Sequence, residues 1–305
     1  MPFELPAAIT IREVGPRDGL QSEVPVSVES RVQLIESLLA AGLTHVEICS
    51  FVSSKAVPSM AGAGEVVALL GVRPEVRRVA LVPNLRGAQM AVDAGVDELT
   101  VTISASEAYS VKNTRMTVNE AMASVESICA LASSAARPVD VVISCSFGSP
   151  YEGEIEPAAL ATLADRAKSS GASSVTLADT TGMATPRRVS EVLCALSDDA
   201  RRRIGLHLHE TRGTGLVNAF AGLQHGVRRF DTSVGGLGGS PFAAGAAGNL
   251  ATEDLVYLCD DLDIETGVRL EALLDASALA ASIVGRSLPS RVAAAGPRLR
   301  LAEVH

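Results

Sequence analysis

The chain has no tryptophan, and aromatic residues make up only 3% of its 305 positions. That scarcity argues against stacking platforms for bases or sugars. Positive charge is also in short supply, with 26 Lys plus Arg against 35 Asp plus Glu and a formal net charge of −9. No basic patch is visible, so neither nucleic acid nor an anionic membrane surface is an expected partner. Any anionic ligand must be held by a few placed cations. Cysteine is sparse and scattered, at Cys49, Cys129, Cys145, Cys194 and Cys259, with no C-x-x-C pair. The set reads as reduced thiols of a cytoplasmic protein. Residues 1–13 have neither a basic n-region nor a long apolar stretch, so no secretory signal is expected. The longest uncharged stretch, 232–252, is glycine-rich and reads as a loop, not a membrane helix.

What is abundant is apolar side chain, 47% of residues against 20% charged. That supports a large buried core and excludes disorder and fibrous repeats. The length alone fits two average domains, but α/β barrels routinely run as long in one. Short β-branched apolar runs alternate with helical patterns. The expected strands are 9–14, 45–51, 78–82, 98–104, 139–144, 174–178, 204–209 and 230–234. Between them the spacing predicts amphipathic helices. One covers Val28–Ala41 with Ser27 as N-cap and Gly42 just past its end. Another opens on the capping-box pattern Thr117-Val-Asn-Glu120, and a third on Thr185-Pro186. Helix-ending glycines at Gly42, Gly95, Gly171 and Gly226 each precede a strand by a few residues, as in the αβ return of a repeating βα unit.

Eight strands joined by helices predict an α/β fold, a single (β/α)8 TIM-barrel domain over 1–305. The barrel is expected to span about 9–265, and residues from Thr252 onward to add two helices and a basic tail. A doubly wound sheet is the rival, but the glycines after the first strand lack the dinucleotide fingerprint.

In such a barrel the chemistry sits at the C-terminal ends of the strands. Polar residues collect there: Arg17-Asp18 after strand 1, Glu47 in strand 2, Asp179 after strand 6, His207 and His209 in strand 7, and the run Gly235–Gly239 after strand 8. His207 and His209 are two apart on a strand and so share a face, with Leu206 and Leu208 on the other. With Asp18 they form a candidate N/N/O site for Mg²⁺, Mn²⁺ or another six-coordinate ion, against the alternative of two core histidines. Arg17 reads either as half of a surface ion pair with Asp18 or as a cation that neutralises an enolate oxygen. Glu47 reads as a support for Arg17 or as a catalytic group, and Asp179 is equally open. The glycine run is compatible with a phosphate nest, a lid or a tight turn. His45, His225 and His305 read as ordinary structural or surface histidines.

The motifs Glu13-Val-Gly-Pro-Arg-Asp-Gly-Leu-Gln21, Ser50-Phe-Val-Ser53, Pro83-Asn-Leu-Arg-Gly87, Pro150-Tyr-Glu-Gly153, Asp179-Thr180, His207-x-His209, Gly235–Gly239 and Gly248-Asn-Leu-Ala-Thr-Glu-Asp254 together resemble the 3-hydroxy-3-methylglutaryl-CoA lyase family. The resemblance runs from about residue 9 to 295. It implies a barrel that cleaves a 3-hydroxy-acyl-CoA, such as 3-hydroxy-3-methylglutaryl-CoA, to acetyl-CoA and a keto acid. The related readings are a lyase of another thioester, such as citramalyl-CoA, and a catalytically weak acyl-CoA-binding homologue. The resemblance implies a divalent metal held by Asp18, His207, His209 and Asn249, with Arg17, Glu47 and Asp179 in the active site. A homo-oligomer is compatible with it. This chain departs from the family at Ser240, where the family carries a catalytic cysteine, and at Glu210-Thr-Arg212-Gly, where it usually reads Asp-Thr-Tyr-Gly. Arg212 reads as a solvent-facing side chain or as a cation for a substrate carboxylate.

Overall fold

In the computed structural model, which describes residues 5–239 and 248–299, amphipathic helices pack their apolar stripes around one closed sheet. The strands are Thr10–Glu13 (β1), His45–Ser50 (β2), Arg77–Leu81 (β3), Glu98–Ser104 (β4), Val139–Ser144 (β5), Ser174–Ala178 (β6), Ile204–His207 (β7) and Arg229–Thr232 (β8). All pair in parallel in chain order, and β8 closes on β1. Parallel neighbours demand a crossover, and helices between the strands supply it, giving the expected (β/α)8 barrel.

The local signals that set these elements are visible in the hydrogen bonds. Ser27 caps the helix Val28–Ala40 by accepting from the Ser30 amide. Thr117 and Glu120 form the reciprocal capping box of the helix Val118–Ser134, and Thr185 caps Pro186–Ala195. Caps of this kind are each worth about 1 kcal/mol. Gly42 has φ +105°, and a Cβ there would stand 2.4 Å from the Gly267 carbonyl oxygen, so only glycine allows this close approach of the two chains.

Beyond Thr252 the structure differs from expectation. Three helices follow, Thr252–Asp261, Leu270–Val284 and Arg291–Ala295. The last is one short turn, too brief to show an amphipathic period in sequence. It is fixed by caps instead: Ser290 accepts from the Ala293 amide, and the Asp254 carboxylate accepts from the Ser290 hydroxyl and the Val292 amide. The basic tail lies largely outside the described residues.

Leu206 and Leu208 face outward into the core, Leu206 against Gly222 of the helix Gly215–Gln224. His207 therefore points inward, in phase with Arg12, Asp140, Thr176 and Asp231 on neighbouring strands. Arg12 lies fully buried across the barrel interior. Its Nε and Nη2 donate to Asp231 at 2.9 and 2.6 Å, and Nη1 donates to Asp140 at 2.9 Å. Arg229 also donates to Asp140, at 2.8 Å. This network fills the barrel floor and ends directly beneath the polar residues of the mouth.

Candidate active site

β1 ends in a tight π-type turn, Gly15–Gly19, in which the amides of Arg17, Asp18 and Gly19 all converge on the Val14 carbonyl. Such turns recur at functional sites because they re-aim side chains that a regular helix would point elsewhere. Here the turn presents Arg17 and Asp18 together. Arg17 Nη1 donates to Asp18 Oδ1 at 2.6 Å, and its Nε and Nη2 both lie 2.6 Å from Glu47 Oε2. Glu47 sits at a register shift between β2 and β3, where an extra residue turns the strand. Arg17 is thus clamped between two carboxylates, the geometry that keeps a guanidinium fixed and charged.

His209 lies two residues past β7, not within it as the sequence suggests, and pairs with Asn249 in an isolated antiparallel bridge. The segment 248–252 zips between the ends of β7 and β8. Leu250 donates to the Leu208 carbonyl at 2.9 Å, and Ser233 donates to the Leu250 carbonyl at 3.0 Å. This added rung carries Asn249 into the mouth. It also explains part of the glycine run. A Cβ at Gly248 would fall 1.8 Å from the Gly236 carbonyl oxygen, and one at Gly238 would fall 2.5 Å from Asn249 Nδ2. The Gly235 amide donates to both carboxylate oxygens of the buried Glu253, at 2.8 and 3.0 Å. Gly238 and Gly248 therefore serve close packing around Asn249, and the Gly235 amide is already engaged. Ser240, expected to act in this loop, lies outside the described residues.

Asp18, His207 and His209 converge. Each offers a ligand atom, and these atoms lie within 4.8 Å of one another. The two imidazoles face each other, with Nε2 to Nε2 at 3.1 Å. Asn249 Nδ2 donates to Asp18 Oδ2 at 2.8 Å, while buried Asn249 Oδ1 has no hydrogen-bond partner among the described residues. A buried carbonyl oxygen left without a donor costs about 1–3 kcal/mol unless something else satisfies it. Two nitrogens, a carboxylate and an orphaned amide oxygen fit a hard or borderline divalent ion. Burial pushes the Asp18 carboxyl up, but Arg17 above all, then His207 and His209, hold it down at about 2. It is therefore an anion near neutral pH, as a ligand must be.

Asp179 follows β6 and is 1% exposed, and its amide donates to the His207 carbonyl. Its Oδ1 accepts from the Ala184 amide at 2.9 Å, while Oδ2 has no partner among the described residues. Burial pushes its carboxyl up to about 7. Arg212 is exposed, but its Nη1 donates to the carbonyls of Thr181 and Gly182 at 3.0 and 2.6 Å. It braces the loop after β6 and is not held ready for a carboxylate. His45 is buried with its Nε2 3.3 Å from Glu98, on the floor, and His225 is partly buried at a helix end.

Sequence reasoning missed the layer behind these residues. Asp231 Oδ2 lies 3.2 Å from His207 Nδ1 and receives Arg12 as well. Glu13 accepts from the Gly15 and Val234 amides and from the Thr252 hydroxyl, tying the turn after β1 to the segment after β8. A charged residue two places from the next polar one, in the inward phase of a short strand, was the available signal for Arg12 and Asp231.

Compared with known proteins, the chain matches the HMGL-like family over residues 8–280. The chain belongs to that family. Among curated relatives, a 3-hydroxy-3-isohexenylglutaryl-CoA/hydroxy-methylglutaryl-CoA lyase of Pseudomonas aeruginosa is 41% identical over 96% of this chain and 98% of its own. An (R)-citramalyl-CoA lyase of Chloroflexus aurantiacus is 40% identical over 95% of each. Among solved structures, an HMG-CoA lyase from A. baumannii in complex with coenzyme A and 3-methylmalate superposes with a TM-score of 0.91. It is 38% identical and is covered over 98% of both chains. Family and fold thus agree with what the motifs implied.

Proposed function

We propose that the protein is a divalent-metal-dependent carbon–carbon lyase that cleaves a 3-hydroxy-acyl-CoA, with 3-hydroxy-3-methylglutaryl-CoA as its substrate. The observation that carries this reading is the meeting of Asp18, His207 and His209 beside the unpartnered Asn249 oxygen and the clamped Arg17, in a member of this family. Asp18, His207, His209 and Asn249 would hold Mg²⁺ or Mn²⁺. When bound, such an ion supplies Lewis acidity toward the substrate hydroxyl and lowers its pKa.

The remaining steps belong to the chain's own groups. Asp179 Oδ2, free of hydrogen bonds among the described residues and on a carboxyl raised to about 7, takes the C3 hydroxyl proton. The C3–O bond becomes a carbonyl as the C2–C3 bond breaks, and its electron pair moves to C2 and the thioester oxygen. Arg17 stabilises that oxygen. Glu47 and Asp18 keep the guanidinium from swinging away. Protonation of C2 releases acetyl-CoA, and the remainder leaves as the keto acid. Ser240 stands where the family carries a cysteine, and a serine hydroxyl has no comparable titration near neutrality.

The citramalyl-CoA reading has its own support in the 40% identical relative. A steady-state assay of 3-hydroxy-3-methylglutaryl-CoA and citramalyl-CoA, with Mg²⁺ and with Mn²⁺, in the wild type and in Ser240→Cys, separates the two. Turnover of the glutaryl substrate that rises in Ser240→Cys supports the first. Efficient wild-type turnover of citramalyl-CoA alone replaces it with the second.

A further inference from the structure

Asp231 belongs to none of the motifs, and neither does Arg12. Yet the two form a continuous buried path from the barrel floor to His207. Asp231 is 2% exposed and Arg12 is 1% exposed. Arg12 meets Asp231 side on, Nε to Oδ1 at 2.9 Å and Nη2 to Oδ2 at 2.6 Å. The bidentate guanidinium has only donors, so both carboxylate oxygens must act as acceptors. The same Oδ2 lies 3.2 Å from His207 Nδ1. An acceptor there requires the proton on Nδ1. In the neutral ring this leaves the Nε2 lone pair facing Asp18 and His209, with Asp18 Oδ2 at 4.0 Å and His209 Nε2 at 3.1 Å.

We propose that Asp231, locked as an acceptor by Arg12, is a positioning residue that fixes the tautomer and ring direction of His207 and thereby sets the affinity of the site for its divalent ion. The proposal rests on the metal reading above. A histidine ligand whose second nitrogen donates to a carboxylate is both better oriented and more basic, and losing that partner typically weakens metal binding about 10–100-fold. The inward phase of β8 puts Asp231 at the one height where it can reach both partners. Arg229, two residues earlier, faces Asp140 and the floor instead. The barrel floor, usually read as purely structural, is then connected to the mouth through one shared oxygen.

Asp231→Asn is the direct test. Arg12 demands acceptors at both positions, and an amide supplies only one. Its NH₂ group opposes Arg12 in either position, and at the shared one it also faces His207 Nδ1 and drives the ring toward the tautomer with the proton on Nε2. The readouts are the Mn²⁺ dissociation constant by EPR and the His207 tautomer by ¹⁵N–¹H correlation on ¹⁵N-histidine-labelled protein, assigned by comparison with His207→Gln. The expected result is an Nδ1–H tautomer for neutral His207 in the metal-free wild type, and Mn²⁺ binding weakened about 10–100-fold in Asp231→Asn. Asp140→Asn removes a different partner of Arg12 and does not touch His207, so it should weaken Mn²⁺ binding far less. A wild-type His207 with its proton on Nε2, unchanged affinity in Asp231→Asn, or equal losses in the two variants overturns the proposal. The tautomer is read on the wild type, so a variant that fails to fold does not shield the idea. Wild-type protein that binds no Mn²⁺ at all defeats the metal reading instead, and that outcome is distinct from the other three.

Discussion

The two ends of one barrel interior treat charge in opposite ways. On the floor, the carboxylates are matched to donors: Asp140 takes Arg12, Arg229, Ser174 and Thr176, and Asp231 takes Arg12 and His207. At the mouth, Glu47 Oε1, Asp179 Oδ2 and Asn249 Oδ1 are buried with no hydrogen-bond partner among the described residues. Buried polar groups are normally satisfied, because each orphan costs a sizeable part of a domain's small net stability. The floor leaves two nitrogens over, Arg229 Nε and His45 Nε2, but its Asp140 and Asp231 oxygens have protein donors. The mouth is complete only with something else in it.

The sharpest way to break that contrast is to remove a converging mouth ligand. His207→Ala or Asp18→Ala should abolish divalent binding, read by calorimetric titration with Mn²⁺, and turnover should fall to background with it. Binding retained in either variant would mean that the three groups meet for structural reasons alone.

Arg12→Met tests the floor. It leaves Asp140 and Asp231 buried without their main cation, and stranding a buried charge typically costs about 3–5 kcal/mol. Urea unfolding should show a loss of that size. A smaller loss would mean that Arg229 and the remaining donors hold the two carboxylates without Arg12.

Arg17→Gln makes the same kind of cut at the mouth, and the expected currency is rate. The developing enolate oxygen carries charge that the ground-state thioester lacks, so kcat should fall by the equivalent of roughly 3–4 kcal/mol while KM changes little. Normal kcat with a raised KM would reassign Arg17 to holding the substrate.

The floor and the mouth were unequally legible in the sequence. Strand and helix positions were readable because the periods of two and 3.6 and the caps at Ser27, Thr117 and Thr185 are local signals. Asp18, His207 and His209 were readable because metal-binding residue types stand out at strand ends. Asn249 was placed as a ligand only through resemblance, since nothing local shows that the chain at 248–252 adds a rung beside β7; Glu47 stood out in an apolar strand, but nothing local shows the bulge that turns it. Asp231 and Arg12 were missed because an Arg in β1 and an Asp in β8 become partners only when the sheet closes. Arg212 read as solvent-facing or as a cation for a substrate carboxylate, and its partners are backbone carbonyls that no sequence pattern reveals.

Between floor and mouth lies a third arrangement, carboxylates buried without any arginine, and it yields the mildest expected effect. Asp140 and Asp231 are desolvated, but their cations hold both well below the usual carboxylate range. Their contribution to stability is present above the unfolded pKa and is lost only as pH falls into strong acid. Glu13 and Glu253 have only amides and hydroxyls as partners, and burial pushes both up to about 7. For these two the sign reverses. The folded state holds their protons more tightly than the unfolded chain does, so their contribution is present below the ordinary glutamate pKa and is lost as pH rises through about 7. Stability should therefore decline between about pH 5 and pH 8, by at most about 3 kcal/mol per group on linkage arithmetic. Glu253→Gln keeps an oxygen for the Gly235 amide and cannot ionise, so it should flatten this limb by its own share and leave that of Glu13. Urea unfolding at several pH values in this window, on wild type and variant, gives the answer. The two curves should diverge as pH rises. Parallel curves would mean that its amide and hydroxyl partners stabilise the ionised Glu253, and that a carboxylate in this barrel needs no arginine to stay charged.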